Sequence, residues 1–137
     1  MWLLAFIGFW VLFAGWTFAT PYNGGLDESE HAVRAAGVAH GQVFAEQDVT
    51  GGFQNVPRSI QPGWCFEVHS DVPASCEKQP GGDETVSRLH STAARNIPVY
   101  YALTGWPLGI WPDWHGILLS RLLNGAAMAA PHNAAIQ

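Results

Sequence analysis

The chain has 137 residues, enough for one domain, and only 12% of them are charged against 48% hydrophobic. Six Lys and Arg against 11 Asp and Glu give a net charge of −5, which excludes electrostatic binding of nucleic acid. Seven Trp and seven Phe exclude a disordered tail, and 15 Gly with nine Pro weigh against a simple helix bundle.

The charges are unevenly spread: two apolar stretches flank a polar middle that holds all but one of the 11 acids and all but one of the six bases. That pattern predicts a mainly α membrane protein. It would comprise an N-terminal transmembrane helix, an extracytoplasmic loop with one helix and irregular structure, an interfacial helix, and the start of a second transmembrane helix. Residues 1–20 are the first segment. Met1 to Ala19 carries no ionisable side chain, and nineteen helical residues reach roughly 28 Å, near the hydrocarbon thickness. Trp2 and Trp16 lie where an aromatic belt would place them. The competing reading is a cleaved secretory signal ending at Thr17-Phe18-Ala19, but no Lys or Arg precedes the run.

Residues 21–96 form the extracytoplasmic loop, punctuated by turn signals such as Asn23-Gly24-Gly25 and Gln79-Pro80-Gly81. One helix is predicted from Asp27 toward Phe44, ending near Gly41, with short strands around Trp64 to Val68. The helix opens on Asp27-Glu28-Ser29-Glu30-His31, and helical spacing sets Asp27, Glu30, His31 and Arg34 on one face. Carboxylates beside an imidazole suit a divalent cation at Asp27, Glu28 and His31, or a general base acting on a sugar hydroxyl. The same letters also read as a capping box, with Asp27 as N-cap and Glu30 three residues on. Cys65 and Cys76, the only cysteines, suit a disulfide on the oxidising side of a membrane, with two separate free thiols as the alternative. Zinc is disfavoured because no C-x-x-C spacing exists. The remaining histidines, His40, His69, His90, His115 and His132, are scattered and read as solvated or hydrogen-bonded.

Residues 97–112 are apolar but broken by Pro98 and Pro107, and rich in Tyr and Trp, which fits an interfacial aromatic segment. Residues 115–131 form a second, marginal transmembrane helix. Arg121 and Asn124 lie inside it and need protein, water or headgroups on their side. Residues 132–137 are a tail. Nothing in the sequence sets the oligomeric state.

Three blocks carry a resemblance. A-T-P-Y-N-G-G-L-D-E-S-E-H-A-V-R from Ala19, the paired-cysteine segment Cys65 to Cys76, and R-N-I-P-V-Y-Y-A-L-T-G-W-P from Arg95 come in the order seen in the bacterial membrane protein family called domain of unknown function 2142. R-L-L-N-G-A-A at Arg121 is similar to the start of that family's next helix. The resemblance implies a relation to GT-C glycosyltransferases, which use polyprenyl-phosphate sugars on the outer face of the cell membrane. It makes Asp27 and Glu28 the candidate catalytic pair and Arg95, Tyr100 and Tyr101 candidates for substrate contact. A divalent cation, the lipid bilayer and a polyprenyl-phosphate sugar are the implied partners. The departures are Ser29-Glu30 in place of Pro-Ala, Pro21-Tyr22 in place of Pro-Pro, and far fewer helices than the family has. The sequence therefore reads as an N-terminal fragment, inactive alone, with a membrane-tethered or secreted module that binds a partner or cation through its acidic helix as the alternative.

Overall fold

The structure, a computed structural model, describes residues 2–60, 65–66, 69, 71–81 and 83–134. Among the described residues there are five α-helices and a small antiparallel sheet that packs on the second of them: α1 (Trp2–Ala19), α2 (Glu28–Ala39), β1 (Glu46–Gln47), β2 (Gly52–Pro57), β3 (Val86–Ser91), α3 (Pro98–Thr104), α4 (Pro107–Ile110) and α5 (Trp114–Ala134). The strands lie in the order β1-β2-β3, with Phe53 opposite both Glu46 and His90. The predicted strands around Trp64 to Val68 fall largely outside the described residues, and Cys65 and Phe66 lie in a bend. Sequence reading missed the sheet, because β2 reads G-F-Q-N-V-P and β3 V-S-R-L-H-S, with none of the long apolar alternation that marks a strand.

Helix α2 is the centre of the molecule. Its Ala32, Val33, Ala35, Ala36 and Val38 are buried and meet Val56 and Ile60 on one side and Tyr101, Leu108 and Ile117 on the other. Small residues let neighbours approach closely. A Cβ on Gly105 would fall against that of Ala35, and one on Gly37 against the Gln54 amide. The helix ends as its sequence predicts. Gly41 takes φ 81°, Gln42 N–H donates to Gly37 O at 2.8 Å, and Gly41 N–H donates to Val38 O at 2.9 Å, the paired bonds of a Schellman stop.

Its start differs from the capping-box expectation. Asp27 is in the left-handed region at φ 61°, and its side chain makes no capping bond. Glu30 does not turn back toward Asp27. Its carboxylate accepts from the Thr92 N–H and hydroxyl, while its carbonyl accepts from Ser91 Oγ, tying α2 to the end of β3. Arg34 is 2% exposed and lies inside the protein. Its guanidinium donates to Val43 O and Asn96 O at 3.0 Å each, so it fastens the exit of α2 to the segment before α3. Burial pulls its pKa below the usual arginine value.

The transmembrane expectation is corrected. Among the described residues, no helix is long and apolar enough to cross a membrane. Helix α1 has 18 residues, about 27 Å at the helical rise, at the lower end of the length a span needs. Helix α5 has 21 residues, but Ser120, Arg121 and Asn124 interrupt it within two turns. The two pack against each other: a Cβ on Gly125 would run into the Phe13 ring, and Trp10 Nε1 donates to Leu122 O at 3.3 Å. The interfacial segment is two short helices, α3 and α4, each opening on a proline at its first position. The architecture is thus five helices with a three-stranded sheet, where a mainly α membrane fold was expected.

The β1–β2 turn is held by Asp48, whose carboxylate accepts from the N–H groups of Thr50 and Gly51 and lies 3.2 Å from His90 Nε2. Desolvation works upward on this carboxyl, but those donors outweigh it and hold its pKa below the usual aspartate range. A depressed folded pKa contributes stability above the unfolded value of about 3.9 that is lost as pH falls through the folded one. Thermal unfolding between pH 6 and pH 2 should therefore show Asp48→Asn flattening the acid limb of the Tm profile. Parallel wild-type and mutant profiles would refute the role given to Asp48.

Candidate functional site

A cavity of about 360 Å³ opens between α1, α2, α3 and α5. Phe13, Trp16 and Thr17 form the α1 wall, and Tyr100 and Tyr101 face them from α3. Its floor is Glu28 and His31 from α2 with Ser120, Arg121 and Asn124 from α5. The cavity is largely apolar with a few convergent polar groups, the usual make-up of a small-molecule site.

Arg121 dominates the polar end. Its Nε and Nη2 grip both oxygens of Glu28 at 2.6 and 2.7 Å. Nη1 donates to Thr17 O and Thr20 O, and Nη2 also donates to Pro21 O, at 2.8–3.0 Å. The five N–H donors of a guanidinium are thereby all used. One of those bonds caps the last turn of α1 at Thr17 O and two hold the carbonyls just beyond it, and since that turn has no basic residue of its own the charge also complements the helix dipole. The side chains of the pair are 14% and 16% exposed.

The second polar group is a chain of hydrogen bonds. Tyr101 Oη lies 2.7 Å from His31 Nδ1 and accepts from Asn96 Nδ2 at 3.0 Å. Tyr100 Oη donates to Asn124 Oδ1 at 2.7 Å. Burial raises the pKa of both phenols, so they stay protonated donors.

Among the described residues three buried hydroxyls lack partners, those of Thr17 and Ser120 on residues that line the cavity and that of Ser29 away from it. Thr17 Oγ1 and Ser120 Oγ are buried with no hydrogen bond among the described residues, and Thr17 as a residue is only 2% exposed. Leaving a buried polar atom unpaired costs about 1–3 kcal/mol, so such atoms call for an explanation.

The sequence candidates separate on this geometry. Glu28, His31, Tyr100 and Tyr101 meet at the cavity. Asp27 is exposed and outside it. Glu28 is there, but both its oxygens are bound by Arg121. Arg95 lies elsewhere, donating to the Asp48 and Val49 carbonyls of the β1–β2 turn. Asp27, Glu28 and His31 do not form a metal site, and among the described residues no three His, Cys, Asp or Glu could hold an ion. Cys65 and Cys76 are joined as a disulfide. Sequence reading missed Thr17, Ser120 and Asn96. The demand of Arg121 and Asn124 for a polar environment was the one signal pointing to this floor. Compared with known protein families, curated proteins and solved structures, the chain matches none.

Proposed function

We propose that the chain is a donor-recognition unit related to GT-C glycosyltransferases, binding a polyprenyl-phosphate sugar in this cavity and transferring nothing by itself. One observation carries the reading. Glu28 and His31, Tyr100 and Tyr101, and Arg121 with Asn124 come from three of the four segments that resemble the family, up to 96 positions apart, and they line one cavity. Phe9, Leu12 and Trp16 follow one another at helical spacing and are 62%, 73% and 71% exposed, which supports contact with a prenyl chain beside the cavity. The Cys65–Cys76 bridge supports maturation in an oxidising compartment. Glu28 is the only acid on the cavity wall among the described residues, and its engagement with Arg121 leaves no free carboxylate to act as a base.

The acidic-helix alternative has less support, since the carboxylates of Glu28 and Glu30 are both engaged by other parts of the chain. The test is thermal unfolding of the purified chain with a polyprenyl-phosphate hexose in detergent. A ligand at 100 times its Kd adds about 2.7 kcal/mol, a shift of several degrees. That shift should shrink in Tyr100→Ala and Asn124→Ala. No shift at any donor concentration would overturn the binding role, and sugar transfer by the chain alone would overturn the second half of the proposal.

A further inference from the structure

We infer that the phosphate of the donor seats against His31, and that the protonation of this imidazole sets how tightly the cavity holds it. This rests on the donor-binding reading of the site and supplies its regulation. A polyprenyl-phosphate sugar is a phosphodiester, whose single negative charge needs a partner. Arg121 is spent: its N–H donors go to Glu28 and three carbonyls, and its charge is balanced by Glu28 in the same contact. Burial raises the pKa of Tyr100 and Tyr101, so both phenols stay uncharged. Of the residues lining the cavity, His31 is then the one whose side chain can gain a positive charge between pH 5 and 8.

The imidazole is both accessible and fixed. His31 is exposed on α2 and lines the cavity. Its Nδ1 lies 2.7 Å from Tyr101 Oη, and the two rings are within 22° of parallel. Tyr101 is 3% exposed and is itself held by Asn96 Nδ2, so the anchor is rigid. A phenol both donates and accepts, so the bond holds whether Nδ1 is bare or protonated. The other ring nitrogen, Nε2, has no hydrogen-bond partner among the described residues. In the charged ring it carries a proton, and a charge-assisted bond to phosphate is roughly twice as strong as a neutral one. The charged groups around the imidazole are Asp27, Glu28 and Arg34 along its own chain segment and Arg121 from α5. Helix α1 presents no ionisable group, and α3 presents only the two phenols.

The experiment measures binding of a polyprenyl-phosphate hexose to the full chain in detergent, by intrinsic Trp fluorescence, at pH 5 and pH 8. The diester keeps its charge across this range, whereas a phosphate monoester titrates at about pH 6, so the change belongs to the protein. The lipid should bind about tenfold more tightly at pH 5. His31→Gln keeps a hydrogen-bonding side chain beside Tyr101 but cannot be charged, so it should bind equally at both pH values, at the wild-type strength of pH 8. By reciprocity, the His31 ring resonances in NMR should titrate at higher pH with the lipid bound than without it. Wild-type binding that ignores pH, a pH dependence that survives in His31→Gln, or a titration the lipid does not move would overturn the inference and leave the donor-binding reading standing. No binding at either pH would overturn both. Dimethyl phosphate, a soluble diester of the same charge, separates the lipid from the free anion and should bind far more weakly. Binding as tight as that of the lipid would overturn the donor-binding reading and keep the anion seat at His31.

Discussion

Replacing Arg121 with Met is expected to destabilise the chain by about 3–5 kcal/mol, the cost of removing one partner from a desolvated ion pair. The substitution leaves Glu28 without a counter-charge and strips three donors from the carbonyls of Thr17, Thr20 and Pro21 at the end of α1. Urea unfolding followed by far-UV circular dichroism would read the loss as a lower midpoint. The double variant Glu28→Gln/Arg121→Met should recover part of it, because no charge is then stranded, while the bare end of α1 remains. A single variant within 1 kcal/mol of wild type would mean that the pair is solvated and the junction weak.

Gly51→Ala is the other large effect. The Asp48–Gly51 turn brings this glycine against the end of β3, where an added Cβ would fall onto the Ser91 carbonyl oxygen and 2.8 Å from Thr92 Cα. Those obstacles are backbone and cannot swing away, so the hairpin must open. The expected cost lies at the upper end of the roughly 1–3 kcal/mol typical of overpacking. Gly8→Ala in α1 is the matched control: nothing lies within 4 Å of its Cβ position, and the helix should gain about 0.5–1 kcal/mol from the better helix former. Equal Tm values for wild type and Gly51→Ala would refute the close approach.

The helices were largely legible from residue patterns. The uncharged run to Ala19, the Ala-rich stretch after Asp27 with its Gly41 stop, and the proline-opened pieces at Pro98 and Pro107 all fall within a few residues of observed elements. The membrane reading failed because hydropathy in α1 measures composition. It does not register that Thr17 is buried in the protein, or that the helix ends at 18 residues where Arg121 gathers its carbonyls. Strands β2 and β3 were illegible because their partner choice depends on Gly51 fitting under Ser91, which no local periodicity records. At the site, Glu28 and His31 stood out by type. Asp27 looked equivalent to Glu28, and only the left-handed turn at Asp27 separates an exposed acid from a buried one. Arg95 looked like a phosphate contact by sequence neighbourhood, yet it is committed to two turn carbonyls.

The grip of Arg121 on the end of α1 also sets an order of events during synthesis. Thr20 and Arg121 are 101 positions apart, so α1 is made well before the residue that fastens its end. At roughly 5–20 residues per second, that gap corresponds to about 5–20 s in which α1 has no α5 to pack on. During that interval α1 lacks its α5 partner, and its Leu4, Phe9 and Leu12 remain exposed even in the finished fold. The contact between α1 and α5 therefore closes only after most of the chain between them has been made.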